Sequence, residues 1–218
     1  MFLSFVDFSL DKKGKLYLDL KDIKTGDEYC EVPESETLVY RNRYDKRCVL
    51  CQKEPKFVFF WRPTSYRNTI SHSCLSQWYD NGFKGIDGIL YKSAEQYMMA
   101  QKAKFFDDEE TLEKIMSAET SAEFKSLGKK VRNFDEEKWS LVKGAIIFAG
   151  NVAKFRGNKP LKKYILSTKN AILVEASPFD RVYGIGMLGG KDAEDPNNWK
   201  GTNLLGFVLM EVRDYLKK

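Results

Sequence analysis

The spacing of apolar residues between Trp139 and Ala153 constrains this chain most. Trp139, Val142, Ile146, Ala149, Gly150 and Ala153 recur at steps of three and four, the period that gathers side chains on one side of an α-helix. The segment predicts a long helix from near Asn133 to Asp135 through to about Phe155, with one buried face. Something must cover that face. A 14% aromatic content over 218 residues points to a packed globular protein, either one domain or one domain with a sizeable extension.

Shorter helices announce themselves by their caps. Ser93-Ala-Glu95-Gln96 and Thr120-Ser-Ala-Glu123 have the capping-box form, in which a hydroxyl accepts from a backbone N–H three residues on and that residue's side chain reaches back. The first predicts a helix through Tyr97, Met98, Met99, Lys102 and Phe105. The second predicts a short helix that stops at Gly128. Asp108 to Ser117 has an acidic first turn suited to the positive end of a helix dipole, and Pro160 suits a first turn as well. A final helix bearing Leu205, Val208, Leu209, Val212 and Leu216 is capped by Thr202 or Asn203.

The first third reads differently. Lys15 to Leu20 alternates polar and apolar, and Val58-Phe-Phe-Trp61 is a short aromatic run of strand type. A polar loop holding Pro33, Glu34, Ser35 and Glu36 lies between them. Ile172-Leu-Val-Glu-Ala176 reads as a buried strand, followed by a glycine-rich loop to Asn198. The expected fold is α+β and mainly α, a helical domain with short strands at 57–218 after a β-rich extension at 1–56.

Charge narrows the partner. Residues 1–56 balance eleven basic against eleven acidic side chains, so the formal net charge of +5 lies wholly in 57–218. Between 125 and 163 eleven Lys/Arg face only Asp135, Glu136 and Glu137. A phosphate-bearing partner is favoured over a cationic one, although a solvated helix face gives the same pattern. Phe134, Trp139 and Phe155 interleave with these charges, as in nucleic-acid contacts. No run approaches the roughly 18 apolar residues of a membrane span. The first residues carry no basic leader before their apolar positions. The cytoplasm is the expected compartment, and Cys30, Cys48, Cys51 and Cys74 are expected to be thiols or metal ligands rather than disulfides. Cys48-Val-Leu-Cys51 has the spacing of half a zinc site that Cys30, His72 and Cys74 can complete, with buried or exposed thiols as the alternative. No other cofactor is expected, and the oligomeric state is left open.

Three groups of residues can carry chemistry. Glu95 and Lys102 lie seven residues apart on one helix, about 20° apart in azimuth and roughly 10.5 Å in height. They form either a carboxylate and amine in one pocket or a solvated stripe. In Asp180-Arg-Val-Tyr183-Gly184-Ile-Gly186 the aspartate is either a ligand contact or a turn cap, and the glycines permit close backbone approach. Trp199-Lys-Gly-Thr-Asn203 offers a helix cap or an anion contact.

Together these segments resemble the NADAR (YbiA-like) family from about Phe57 onward. The matching pieces are Cys74-Leu-Ser-Gln-Trp78-Tyr79, Gly88 through Ala103 with Glu95, Gln101 and Lys102, and Leu127-Gly-Lys129. Trp139, Ala153-Lys154-Phe155, Leu173 to Ser177, Asp180, Tyr183-Gly-Ile-Gly186, Trp199 to Gly206 and Arg213 complete them. The pattern departs at Gln96, Lys129 and Tyr183, where the family often has His, Arg and Trp. The resemblance implies an N-glycosidase that hydrolyses the C1′–N bond of a phosphorylated ribose, acting on ADP-ribosylated guanine in nucleic acid or on riboflavin-pathway pyrimidine ribotides. A non-catalytic ADP-ribose or nucleotide-binding module is the alternative. It implies Glu95, Lys102 and Asp180 as catalytic residues. Substrate contact falls to Trp78, Tyr79, Lys129, Lys154, Tyr183, Gly184, Gly186, Trp199 and Asn203.

Overall fold

In the computed structural model, which describes residues 3–10, 16–22, 28–29, 44–64 and 69–217, the backbone begins as a three-stranded antiparallel sheet. Its strands are β1 (Leu3–Leu10), β2 (Leu16–Asp22) and β3 (Glu28–Tyr29), with a register shift between Phe5 and Asp7. The expected Pro33 to Glu36 loop and Cys30 lie outside the described residues. Next come α1 (Lys46–Leu50), β4 (Phe57–Phe60), a 3-10 turn over His72–Leu75, β5 (Phe83–Lys84) and β6 (Leu90–Tyr91). The helices α2 (Ala94–Phe105), α3 (Glu109–Ser117), α4 (Ser121–Gly128), α5 (Glu136–Arg156) and α6 (Lys159–Ser167) follow, then β7 (Ile172–Glu175) and α7 (Leu204–Lys217). Helices dominate, as the apolar periodicity requires.

Two compact units emerge, one of Met1–Arg41 with Lys84–Gly150 and one of Asn42–Phe83 with Asn151–Lys218. In the first, α2 packs against α3 and α4. Caps set the helix boundaries. Ser93 Oγ accepts from Gln96 N–H, Asp108 from Thr111 N–H, and Thr120 with Glu123 forms a complete capping box. Gln96 reaches back to the N–H of Lys92 rather than Ser93, and its amide donates to Ile115 O. Gly128 is the last residue of α4, and a Cβ there would lie 1.9 Å from Met99 Sδ. Asp87 ties the β5–β6 hairpin to α2, because its Oδ2 accepts from Tyr91 Oη, Gln101 Nε2 and Lys104 Nζ at 2.6, 3.1 and 2.9 Å. Burial would raise the Asp87 carboxyl pKa, but the Tyr91 and Lys104 hydrogen bonds outweigh it and hold it low.

In the second unit β4 and β7 pair in parallel, Phe57 opposite Ile172 through Phe60 opposite Glu175. Ile172, Leu173 and Val174 are wholly buried and α7 packs on the strand. Arg213 of α7 is 2% exposed and donates to Thr168 Oγ1 and Ala171 O, which fastens the turn between α6 and β7. Among the described residues no helix is long and apolar enough to cross a membrane.

Candidate functional site

Helix α2 carries the first pair of candidates. Nine of its twelve residues are buried, polar ones included, so it lies inside the protein on nearly every side. Glu95, 4% exposed, is therefore a buried carboxylate rather than part of a solvated stripe. Lys102, two turns further along the same face, is half-buried. Its Nζ donates to Gly128 O at 2.9 Å and sits 3.7 Å from the Phe134 ring centroid and 5.7 Å from that of Trp139. Burial lowers the Lys102 ammonium below its ordinary pKa, and Glu136 opposes that only in part. Lys129, the C-terminal cap of α4 beside Gly128, is exposed.

Lys154 meets similar partners in the other unit. It is 0% exposed, and its Nζ donates to Ser76 O at 2.8 Å between the rings of Phe155 and Tyr79, whose centroids lie 5.2 and 5.6 Å away. Desolvation pulls its pKa down to about 7. Tyr79 and Trp78 are partly exposed. Gln77 between them turns inward, its Oε1 accepting from Asn151 Nδ2 of α5 at 2.9 Å.

The glycine-rich loop after β7 is held by its own backbone. Asp180 Oδ1 accepts from Val182 N–H and Tyr183 N–H at 3.0 and 2.8 Å, so this side chain does cap its turn. A Cβ on Gly184 would lie 2.7 Å from Glu175 O, and Gly186 has φ +66°. These glycines let the chain approach itself. Tyr183 remains partly exposed beside them.

Two expected contacts turn out to be internal. Asn203, 0% exposed and at φ +55°, gives its side chain to β7, Oδ1 accepting from Glu175 N–H and Nδ2 donating to Leu173 O. Its left-handed backbone explains why it does not present the extended geometry of a helix cap. Trp199, 5% exposed, donates its indole N–H to Ala193 O and receives Lys46 Nζ 5.8 Å from its ring centroid.

Cys48 lies on α1 and Cys51 caps it, the former partly and the latter well exposed. Cys74 is fully buried, and burial pushes its thiol up to about 11. No group of three or more His, Cys, Asp or Glu side chains suited to a metal occurs among the described residues.

Sequence reasoning missed the two backbone carbonyls that orient the lysines, Gly128 O and Ser76 O, since carbonyls leave no mark in residue type. Phe134 and Trp139, two of the aromatics that interleave with the basic residues of 125–163, are the rings that stand against Lys102.

A family model for the NADAR domain matches residues 59–217. The chain belongs to the NADAR family. The NADAR region includes every candidate from Trp78 to Asn203 and excludes Cys48 and Cys51. N-glycosidase R617 of Acanthamoeba polyphaga mimivirus is 42% identical over 164 residues, covering 73% of this chain and 95% of that protein. Riboflavin biosynthesis protein VVA0006 of Vibrio vulnificus (strain YJ016) is 27% identical over 175 residues, 80% of this chain but 42% of that protein. The NMR structure of the E. coli protein YbiA aligns with a TM-score of 0.61 at 25% identity, covering 76% of this chain and 88% of that one.

Proposed function

We propose that this NADAR protein is an N-glycosidase that hydrolyses the C1′–N bond of a phosphorylated ribose, and that it removes ADP-ribose from guanine bases of nucleic acid. The reaction class is supported by N-glycosidase R617, which this chain matches over 95% of that protein's length. The observation that carries the mechanism is the burial of Glu95 in the first turn of the helix that also presents Lys102.

Cleaving an N-riboside develops positive charge at C1′ and the ring oxygen. A carboxylate shielded from water stabilises that charge more strongly than an exposed one, or activates the attacking water. Glu95 takes that role. Desolvation of Lys102 favours its neutral amine, which suits addition to C1′ of the ring-opened imine: the base amine leaves as the C1′–N bond breaks, and water hydrolyses the lysine Schiff base that remains. Anchoring a substrate phosphate is its other role. Exposed Lys129 is assigned to phosphate, while for Asp180 and Tyr183 a ribose or base contact rests on the family resemblance alone. The enclosed settings of Lys154, Trp199 and Asn203 favour structural roles for these three.

Hydrolysis of amino-pyrimidine ribotides is the second reading, favoured by the name of the Vibrio relative. Folded protein incubated with ADP-ribosylated DNA and RNA should release ADP-ribose. Release of ribose-5-phosphate from pyrimidine ribotides alone would move the substrate to the second reading, and no release from either would sink the enzyme. Glu95→Gln should lower kcat by roughly 10³-fold with substrate affinity kept. A binding module has no turnover to lose.

A further inference from the structure

At the carboxyl ends of the parallel pair β4–β7, two loops bring aromatic rings together at the surface. Trp61 directly follows β4 and Phe179 lies four residues past β7. Their centroids are 5.9 Å apart with the planes inclined at 52°. The exposed Arg62 stacks on the same indole, its guanidinium carbon 4.5 Å from the ring centroid. Phe179 is 88% exposed, and Val182 and Leu188 in the same loop are 43% and 59% exposed. Single apolar side chains on a surface are ordinary. Here two rings and a cation from separate loops meet in one arrangement, immediately before Asp180.

The chemistry of this group selects its ligand. Aromatic faces backed by a guanidinium are what unpaired nucleobases stack on, and Arg keeps N–H groups free for an adjacent phosphate. The carboxyl edge of parallel strands is also where open α/β sheets take their ligands. Phe179, 88% exposed, stands too far into solvent to serve a ligand enclosed in a pocket, whereas a single strand lying along the surface reaches its ring. Exposed Arg62 on the indole and exposed Arg181, two residues after Phe179 in the chain, supply positive charge, which complements a polyphosphate backbone.

We propose that Trp61, Arg62 and Phe179 form a stacking platform for an unpaired nucleobase of a single-stranded nucleic-acid substrate. This rests on the nucleic-acid reading given above and names the part of the protein that distinguishes such a substrate from a free nucleotide.

The test uses the full chain and a short, labelled, unmodified single-stranded oligonucleotide, with affinity read by fluorescence anisotropy. Phe179→Ser and Arg62→Gln should each weaken binding roughly ten-fold, and Phe179→Trp should keep it. Binding should fall with added salt. Turnover of an ADP-ribosylated mononucleotide should be unchanged in Phe179→Ser, while KM for the ADP-ribosylated oligonucleotide rises. Absence of oligonucleotide binding by the unaltered chain, or equal binding by Phe179→Ser, overturns the platform. Equal weakening of guanosine monophosphate binding places a free nucleotide there instead. Self-association that Phe179→Ser abolishes while oligonucleotide binding persists assigns the patch to a protein interface. If no substrate releases ADP-ribose, the proposed activity fails while oligonucleotide binding still decides the platform.

Discussion

Lys102 and Lys154 occupy settings built from the same parts, yet the two differ in what they can do. Each ammonium donates to a backbone carbonyl, Gly128 O for the first and Ser76 O for the second, and each lies over two aromatic rings. The difference is water. Lys102 is half-buried, whereas Lys154 is 0% exposed. Desolvation lowers both pKa values, but only the more open amine combines a weakened hold on its proton with exposure to solvent. A lysine sealed from solvent is a packing element with a titratable end. One partly open to solvent is a chemical group.

Exchange of each lysine for Met is the sharpest way to break this comparison. Lys102→Met should lower kcat on the ADP-ribosyl substrate by roughly 10²- to 10⁴-fold, about 3–5 kcal/mol of transition-state stabilisation. Its thermal midpoint should stay near that of the unaltered protein. A variant that retains full turnover would remove Lys102 from the chemistry and leave Glu95 as the only assigned reacting group on α2.

Lys154 should report on stability and pH instead. Burial lowers its pKa from an ordinary 10.5 to about 7, so between these values the unfolded chain binds a proton that the folded chain does not. Stability therefore rises with pH across that window. Below about pH 7 both states are protonated and the folded state carries the whole burial cost; above 10.5 nothing further is gained. At about 1.4 kcal/mol per unit, the window is worth on the order of 3–5 kcal/mol. Lys154→Met removes the titration, although it leaves Ser76 O without its donor, an offset of about 1–3 kcal/mol. The slope is thus the diagnostic quantity. Denaturant unfolding at intervals from pH 6 to 10 should give a flatter profile for the variant. Parallel profiles would mean that Lys154 titrates as an exposed lysine does.

What was legible in the sequence follows from the range of each interaction. Ser93, Asp108, Thr120 and Pro160 act on backbone groups within a turn, so residue type and spacing suffice to locate α2, α3, α4 and α6. The strands β4 and β7 were marked by their apolar runs, though not the parallel pairing that joins segments more than a hundred residues apart. Asn203 shows the opposite case. A cap was expected from its place before α7, but its left-handed backbone and its bonds to Leu173 and Glu175 come from a strand nearly thirty residues earlier. For α2 the azimuth of Glu95 and Lys102 follows from helix geometry. What covers the helix does not, so a pocket and a solvated stripe look alike in sequence and differ only in burial. The family resemblance marks the candidate residues, and the fold encloses some of them, Glu95, Lys154 and Asn203 among them.

The smallest of these effects tests the aromatic half of the Lys102 setting. Phe134 is 41% exposed, with its ring centroid 3.7 Å from Lys102 Nζ and 5.3 Å from that of Phe106. A cation over a partly exposed ring is worth about 0.5–1 kcal/mol, so Phe134→Leu should reduce kcat by roughly two- to five-fold if the ring orients the amine. Little apolar burial is lost at so exposed a position, and the thermal midpoint should hold. The result separates the two agents that place this amine. An unchanged kcat would leave the Gly128 carbonyl as the group that orients it. A loss near that of Lys102→Met would make the Phe134 ring, and not the carbonyl, the reason that Lys102 is poised while Lys154 is merely packed.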